Sequence, residues 1–129
     1  MIDNSAIYSN PVIPPRHYCA KLVNLKQEPS EYIYPKILAW FLIHPDHDLG
    51  EIILKSIIHP TPSAKPVYDM FSHTFLKDSD EELEQAVGRC GALQVFCKNY
   101  EGTDYSMVKF VEQTSDLLRQ MEEVFGVGW

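Results

Sequence analysis

Apolar and polar residues alternate along this chain at two spacings. Between Lys36 and Ile43, the residues Ile37, Ala39, Phe41 and Ile43 share one parity, while Lys36, Leu38, Trp40 and Leu42 share the other. This is the period of a strand, whose successive side chains point to opposite faces. The next segment repeats it, with Ile52, Leu54, Ser56 and Ile58 set against Ile53, Lys55 and Ile57. "PDHDLG" between the two is rich in Pro, Asp and Gly, so an antiparallel hairpin is expected. Burying an unpaired ammonium is costly, which turns the lysine-bearing parity outward. Upstream, "HYCAKLVNLKQ" carries Cys19, Val23 and Leu25 on one parity and Ala20 and Leu22 on the other, a strand buried on much of both faces. Downstream, "GALQVFCKNY" sets Leu93, Val95 and Cys97 against Gln94, Phe96 and Lys98. "EGTD" turns the chain, and "YSMVKFVE" sets Val108 and Phe110 against Tyr105, Met107 and Lys109.

Three segments switch to helical spacing. After Pro60 and Pro62 stop the sheet, Ser63 is the expected N-cap, Pro66 falls in the first turn, and Val67, Met70, Phe71, Thr74 and Phe75 recur at three and four. In "DSDEELEQAVG", Ser79 and Glu82 have capping-box spacing, Leu83, Ala86 and Val87 form the stripe, and Gly88 ends it. The acidic cluster there suits a helix N-terminus. "TSDLLRQMEEVFGVGW" is a capped amphipathic helix with Leu117, Leu118, Met121, Val124 and Phe125 on one side.

Five strands, with helical material between the third and fourth, match the order of a five-stranded OB-type barrel, mainly β with short helices. An open α+β sheet with helices on one face has the same element order. Residues 1–15, with Pro11, Pro14 and Pro15, read as an extended N-terminal arm over the surface; residues 16–112 form the barrel domain, and 113–129 the C-terminal helix and tail.

Composition narrows the function. The 129 residues, 45% hydrophobic and 22% charged, suit one soluble domain, with no run long enough for a membrane span and no secretory signal. A cytoplasmic protein is expected. The net charge of -7 speaks against binding nucleic acid through bulk positive charge, yet from Arg16 to Lys77 seven basic residues face six acids, leaving that stretch near neutral. Cys19, Cys90 and Cys97 lack CxxC spacing and are expected to be buried, reduced thiols. His44, Asp46, His47 and Asp48 offer metal-ligand atom types, but they read as a polar turn, so no metal or cofactor is expected. No GxSxG, HExxH, phosphate-binding loop or GxGxxG occurs, and a non-catalytic protein is expected.

The run Tyr18 to Phe75, with "YCAKLVNL", "YPKILAWFLI" and "HPTPSAKPVYDMF", and the later "LEQAVGRCGALQVF" resemble a family of small phage and mobile-element proteins with an OB-type fold, assigned to binding single-stranded DNA. The resemblance spans roughly residues 17–112 and implies a single-stranded DNA partner. Such barrels stack bases on aromatic side chains beside basic groups. By strand parity, Trp40 and Phe96 are the candidate platforms and Lys36, Lys55 and Lys98 the candidate phosphate ligands, with Tyr34, Tyr100 and Tyr105 as further aromatic candidates. The alternative is a protein-interaction module of a phage or mobile element, without nucleic-acid binding, that acts through the C-terminal helix and "VFGVGW". Homo-oligomerisation fits either. A strand binder requires lysines and aromatics together on one concave face, whereas a protein binder leaves an apolar patch.

Overall fold

The alternating segments form strands β1 (Arg16–Glu28), β2 (Lys36–Ile43), β3 (Ile52–Ile58), β4 (Cys90–Tyr100) and β5 (Thr103–Phe110), and the longer helical stretches form α1 (Lys65–Phe75) and α2 (Ser115–Phe125). The structure, a computed structural model, describes residues 10–44, 51–76 and 82–125, with side chains of α2 described to residue 123. The "PDHDLG" turn from Pro45 onward, Ser79 with most of the acidic cluster, and the final "GVGW" lie outside the described residues. Among the described residues no helix is long and apolar enough to cross a membrane.

The five strands make one antiparallel sheet in the order β3-β2-β1-β4-β5. Its inner face follows the expected parities: Ile37, Ala39, Phe41 and Ile43 of β2 are buried, as are Leu54 and Ile58 of β3, Leu93 and Val95 of β4, and Val108 and Phe110 of β5. β1 serves two neighbours, pairing with β4 over Arg16–Lys21 and with β2 over Ala20–Glu28. A register shift between Leu22 and Asn24 inserts Val23 as an extra residue, so the inner face passes from Tyr18, Ala20 and Leu22 to Leu25, which sits opposite the buried Ala39. A bulge of this kind bends and twists the strand that carries it. The β4–β5 turn has two residues, Glu101 and Gly102, both at positive φ, 49° and 83°. Paired left-handed residues match the twist of the strands they join.

α1 closes one end of the core. Phe71 and Phe75 enter between the strands, with ring centroids 5.4 Å from Phe75 to Phe41 and 5.5 Å from Phe71 to Phe110. β4 passes so close beneath the helix that a Cβ at Gly91 would lie 2.5 Å from Thr74 Cγ2. The helix starts differently from expectation. Its N-cap is Ala64, without a side-chain cap bond; Ser63 lies in a preceding 3-10 turn, Pro62–Ala64, where its hydroxyl is 3.2 Å from Thr61 Oγ1. The second expected helix is a single 3-10 turn, Leu83–Ala86, with a capping box formed by Glu82 and Gln85; Leu83 and Ala86 are buried while Val87 is exposed. In α2, Leu117 and Met121 pack on Ala92 with Thr114 capping the start, and Leu118 is exposed.

The residues expected to run as a surface arm contribute to the core instead. Every ladder is antiparallel, so β3 and β5 point the same way as the two edges of the sheet, and their Cα atoms come within 8 Å without a ladder between them. Asn10, 4% exposed, lies in this seam. Its amide nitrogen donates to the Lys55 carbonyl at 2.9 Å and the Ser106 carbonyl at 3.0 Å, and its oxygen accepts from the Lys55 N–H at 2.8 Å. The side chain thus takes both backbone groups of one β3 residue, as a neighbouring strand would. The Ile13 N–H donates to Ser106 Oγ at 2.9 Å, the Ile13 side chain is buried, and Tyr18 Oη donates to the Pro14 carbonyl at 2.7 Å. Residues 10–15 have no helical or strand pairing of their own, yet two of them complete the inside.

Replacing Asn10 by Ala strands two carbonyls and an N–H in a buried setting, each costing about 1–3 kcal/mol where water cannot enter. Asn10→Ala is expected to lower unfolding stability by at least about 1–3 kcal/mol in a urea titration; an unchanged midpoint would mean that the seam holds without the amide.

Candidate nucleic-acid interface

Above Asn10 the seam opens. A cleft of about 490 Å³ lies between the β3 and β5 edges and α1. Lys55 and Ile57 of β3 line one side, Met107 and Lys109 of β5 with Phe96 of β4 another, and Pro66, Val67 and Met70 of α1 a third, with His59 beside them. Strand register explains the grouping. Phe96 is the cross-strand partner of Met107, and Lys109 lies one parity step further along β5, so all three project from the same side of the β4–β5 hairpin. Helix α1 contributes because its Phe71 and Phe75 are committed to the core, which leaves Val67 and Met70 to face the cleft.

Among the described residues no carboxylate lines the cleft, and neither Lys55 nor Lys109 makes an ion pair. Lys98 adds a third ammonium, 5.8 Å from the centroid of the half-buried Phe96 ring. His59 is held below its ordinary value of 6.5, first by partial desolvation and then by the charge of Lys36. The unfolded chain therefore takes up this proton before the folded one does. That contribution to stability is complete above about pH 6.5 and is lost as the pH falls through the lowered value.

The structure brings together some of the expected residues and separates others. Lys55 and Phe96 line the cleft, and Lys98 sits over Phe96. Trp40, half-buried on the outer face of β2, pairs in register with Lys55 and stands outside the cleft, on the far side of that lysine. Lys36 is removed from the lining and acts on it through His59. Tyr34 is engaged elsewhere, against Tyr68 of α1 at 4.2 Å between centroids, where it fixes the β1–β2 loop to the helix. Tyr105 is 6% exposed, so it is not an available stacking platform despite its outward parity. Tyr100 is exposed beside the β4–β5 turn. Lys109 and Met107 were legible as the outward parity of β5, but nothing in the sequence points to their meeting α1.

Other chemistry is sparse. Among the described residues no group of three or more His, Cys, Asp and Glu side chains is placed to hold a metal, and Asp46, His47 and Asp48 lie outside them. Cys97 is exposed, contrary to expectation, because the end of β4 runs beyond the core. Cys19 and Cys90 are half-buried. Burial, then the nearby Cys90, pushes the Cys19 thiol up to about 11, and burial raises Cys90 as well, so both are protonated at neutral pH and weakly nucleophilic. No protein-family model matches the chain, and no curated protein matches it.

Removing the Lys36 charge is expected to raise the His59 pKa part of the way towards 6.5, leaving the larger desolvation effect in place. An NMR titration of the His59 imidazole in Lys36→Gln checks this. A curve identical to that of the unmodified protein would mean that the two charges do not interact.

Proposed function

We propose that this chain is a non-catalytic binder of single-stranded nucleic acid, built as an OB-type barrel whose last seam is carried by the Asn10 side chain in place of a ladder. The sheet order and the parallel approach of β3 to β5 support the barrel reading, and the position of α1 at one end of the core agrees with it. The observation that carries the function is the cleft. Within a chain of net charge -7 it gathers Lys55, Lys109 and the Phe96 ring, with Lys98 over that ring and, among the described residues, no carboxylate. Unpaired bases supply flat apolar faces beside phosphates, which is the chemistry this lining complements. The resemblance to phage and mobile-element proteins points the same way.

A strand would cross the outer face from Trp40, over Lys55, to Phe96 and Lys98. The alternative, a protein contact through the C-terminal helix, has the exposed Leu118 in its favour, but Leu117 and Met121 are already used against the sheet.

Fluorescence anisotropy of a labelled oligothymidine at low salt, with duplex DNA alongside, tests the proposal. Saturable binding of the single strand alone is expected, and no binding at tens of micromolar would overturn it. With three lysines engaged, log affinity should fall with log salt at a slope of about -2. Phe96→Ala should weaken binding by about 1–3 kcal/mol without changing the unfolding curve, and equal affinity would remove Phe96 from the interface.

A further inference from the structure

We propose that the cleft between α1 and the β3 and β5 edges accepts one whole nucleotide of the bound strand, its base inserted against Phe96 and its phosphate held by Lys55 and Lys109. The inference rests on the single-strand reading above and makes it specific. Phe96 is half-buried and forms part of the cleft wall, so a base reaches its ring by entering the cavity instead of lying on an open sheet face. Val67 and Met70 of α1 supply the apolar side facing the strands, and Met sulfur packs well against aromatic rings. The volume of about 490 Å³ falls within the range of about 300–1,000 Å³ typical of small-ligand pockets.

Charge decides among occupants. A purely apolar ligand would leave two ammonium groups without a partner, and a bare phosphate would leave the Phe96, Met107 and Met70 surfaces wet. A nucleotide satisfies both halves of the lining. A base held in a duplex is stacked and paired and does not enter, so discrimination against duplex comes from shape and requires few lysines. That is compatible with an acidic chain.

The test is a calorimetric titration of the full chain with thymidine monophosphate, with thymidine and with inorganic phosphate, and competition of the monophosphate against labelled oligothymidine. The variant is Val67→Trp, which fills the cleft from a residue that is 43% exposed and outside the core. Lys109→Glu, also at an exposed position, is the second variant should the tryptophan disturb folding. Expected are saturable binding of the monophosphate, affinity at least about tenfold weaker for thymidine and for phosphate, displacement of the oligonucleotide, and loss of at least about tenfold for both ligands in either variant. Oligothymidine binding that the monophosphate does not displace and that neither variant weakens would overturn the cleft proposal and leave the single-strand reading intact. Monophosphate binding without oligothymidine binding would overturn the single-strand reading and keep the cleft as a mononucleotide site. Binding of neither overturns both.

Discussion

The structure depends on how two sheet edges that do not pair are kept together. An exposed edge strand offers unpaired N–H and C=O groups, and burying them without partners is costly. β3 and β5 meet in this condition, and the Asn10 amide resolves it by giving Lys55 a donor and an acceptor at once and Ser106 a second donor. Ser56 and Ser106, small buried residues on the inward parity, keep this line narrow where larger side chains would force the edges apart, and Ser106 Oγ accepts from the Ile13 N–H. Gln113, just past the end of β5, makes the same two-way bond to β4, its amide taking both the N–H and the C=O of Ala92, each at 2.9 Å. Among the described residues no buried side-chain nitrogen or oxygen lacks a partner.

The cleft follows from the same constraint. Asn10 bridges the edges at Lys55 and Ser106; beyond that point no other side-chain amide among the described residues joins them, and α1 lies over the gap. Lys55, whose backbone is clamped by Asn10, also lines the cleft, so its position there depends on the arm. Structural closure and the proposed ligand contact therefore share one residue.

The parts of this fold legible in the sequence are those governed by short-range periodicity. The inner faces of β2 and β3 and the buried pair Phe71 and Phe75 follow directly from spacing. What was not legible depends on contacts between residues far apart in the chain. Asn10 reaches across 45 and 96 positions to its two partners, and a Pro-rich arm without periodicity gives no sign of that. The bulge at Val23 shifts the face of β1 midway, which a single alternation cannot represent. Parity identified the sides of Phe96 and Lys55 but not their neighbours. It also placed Tyr105 outward, where the structure buries it, because parity assigns a face of the sheet and says nothing of what covers that face.

Backbone amide chemical-shift mapping of the isotopically labelled chain with unlabelled oligothymidine tests the location of binding most directly. If the strand engages the cleft, the largest shifts fall on Lys55, Ile57, Val67, Phe96, Met107 and Lys109. Shifts confined to α2, or none at saturating oligonucleotide, would contradict it.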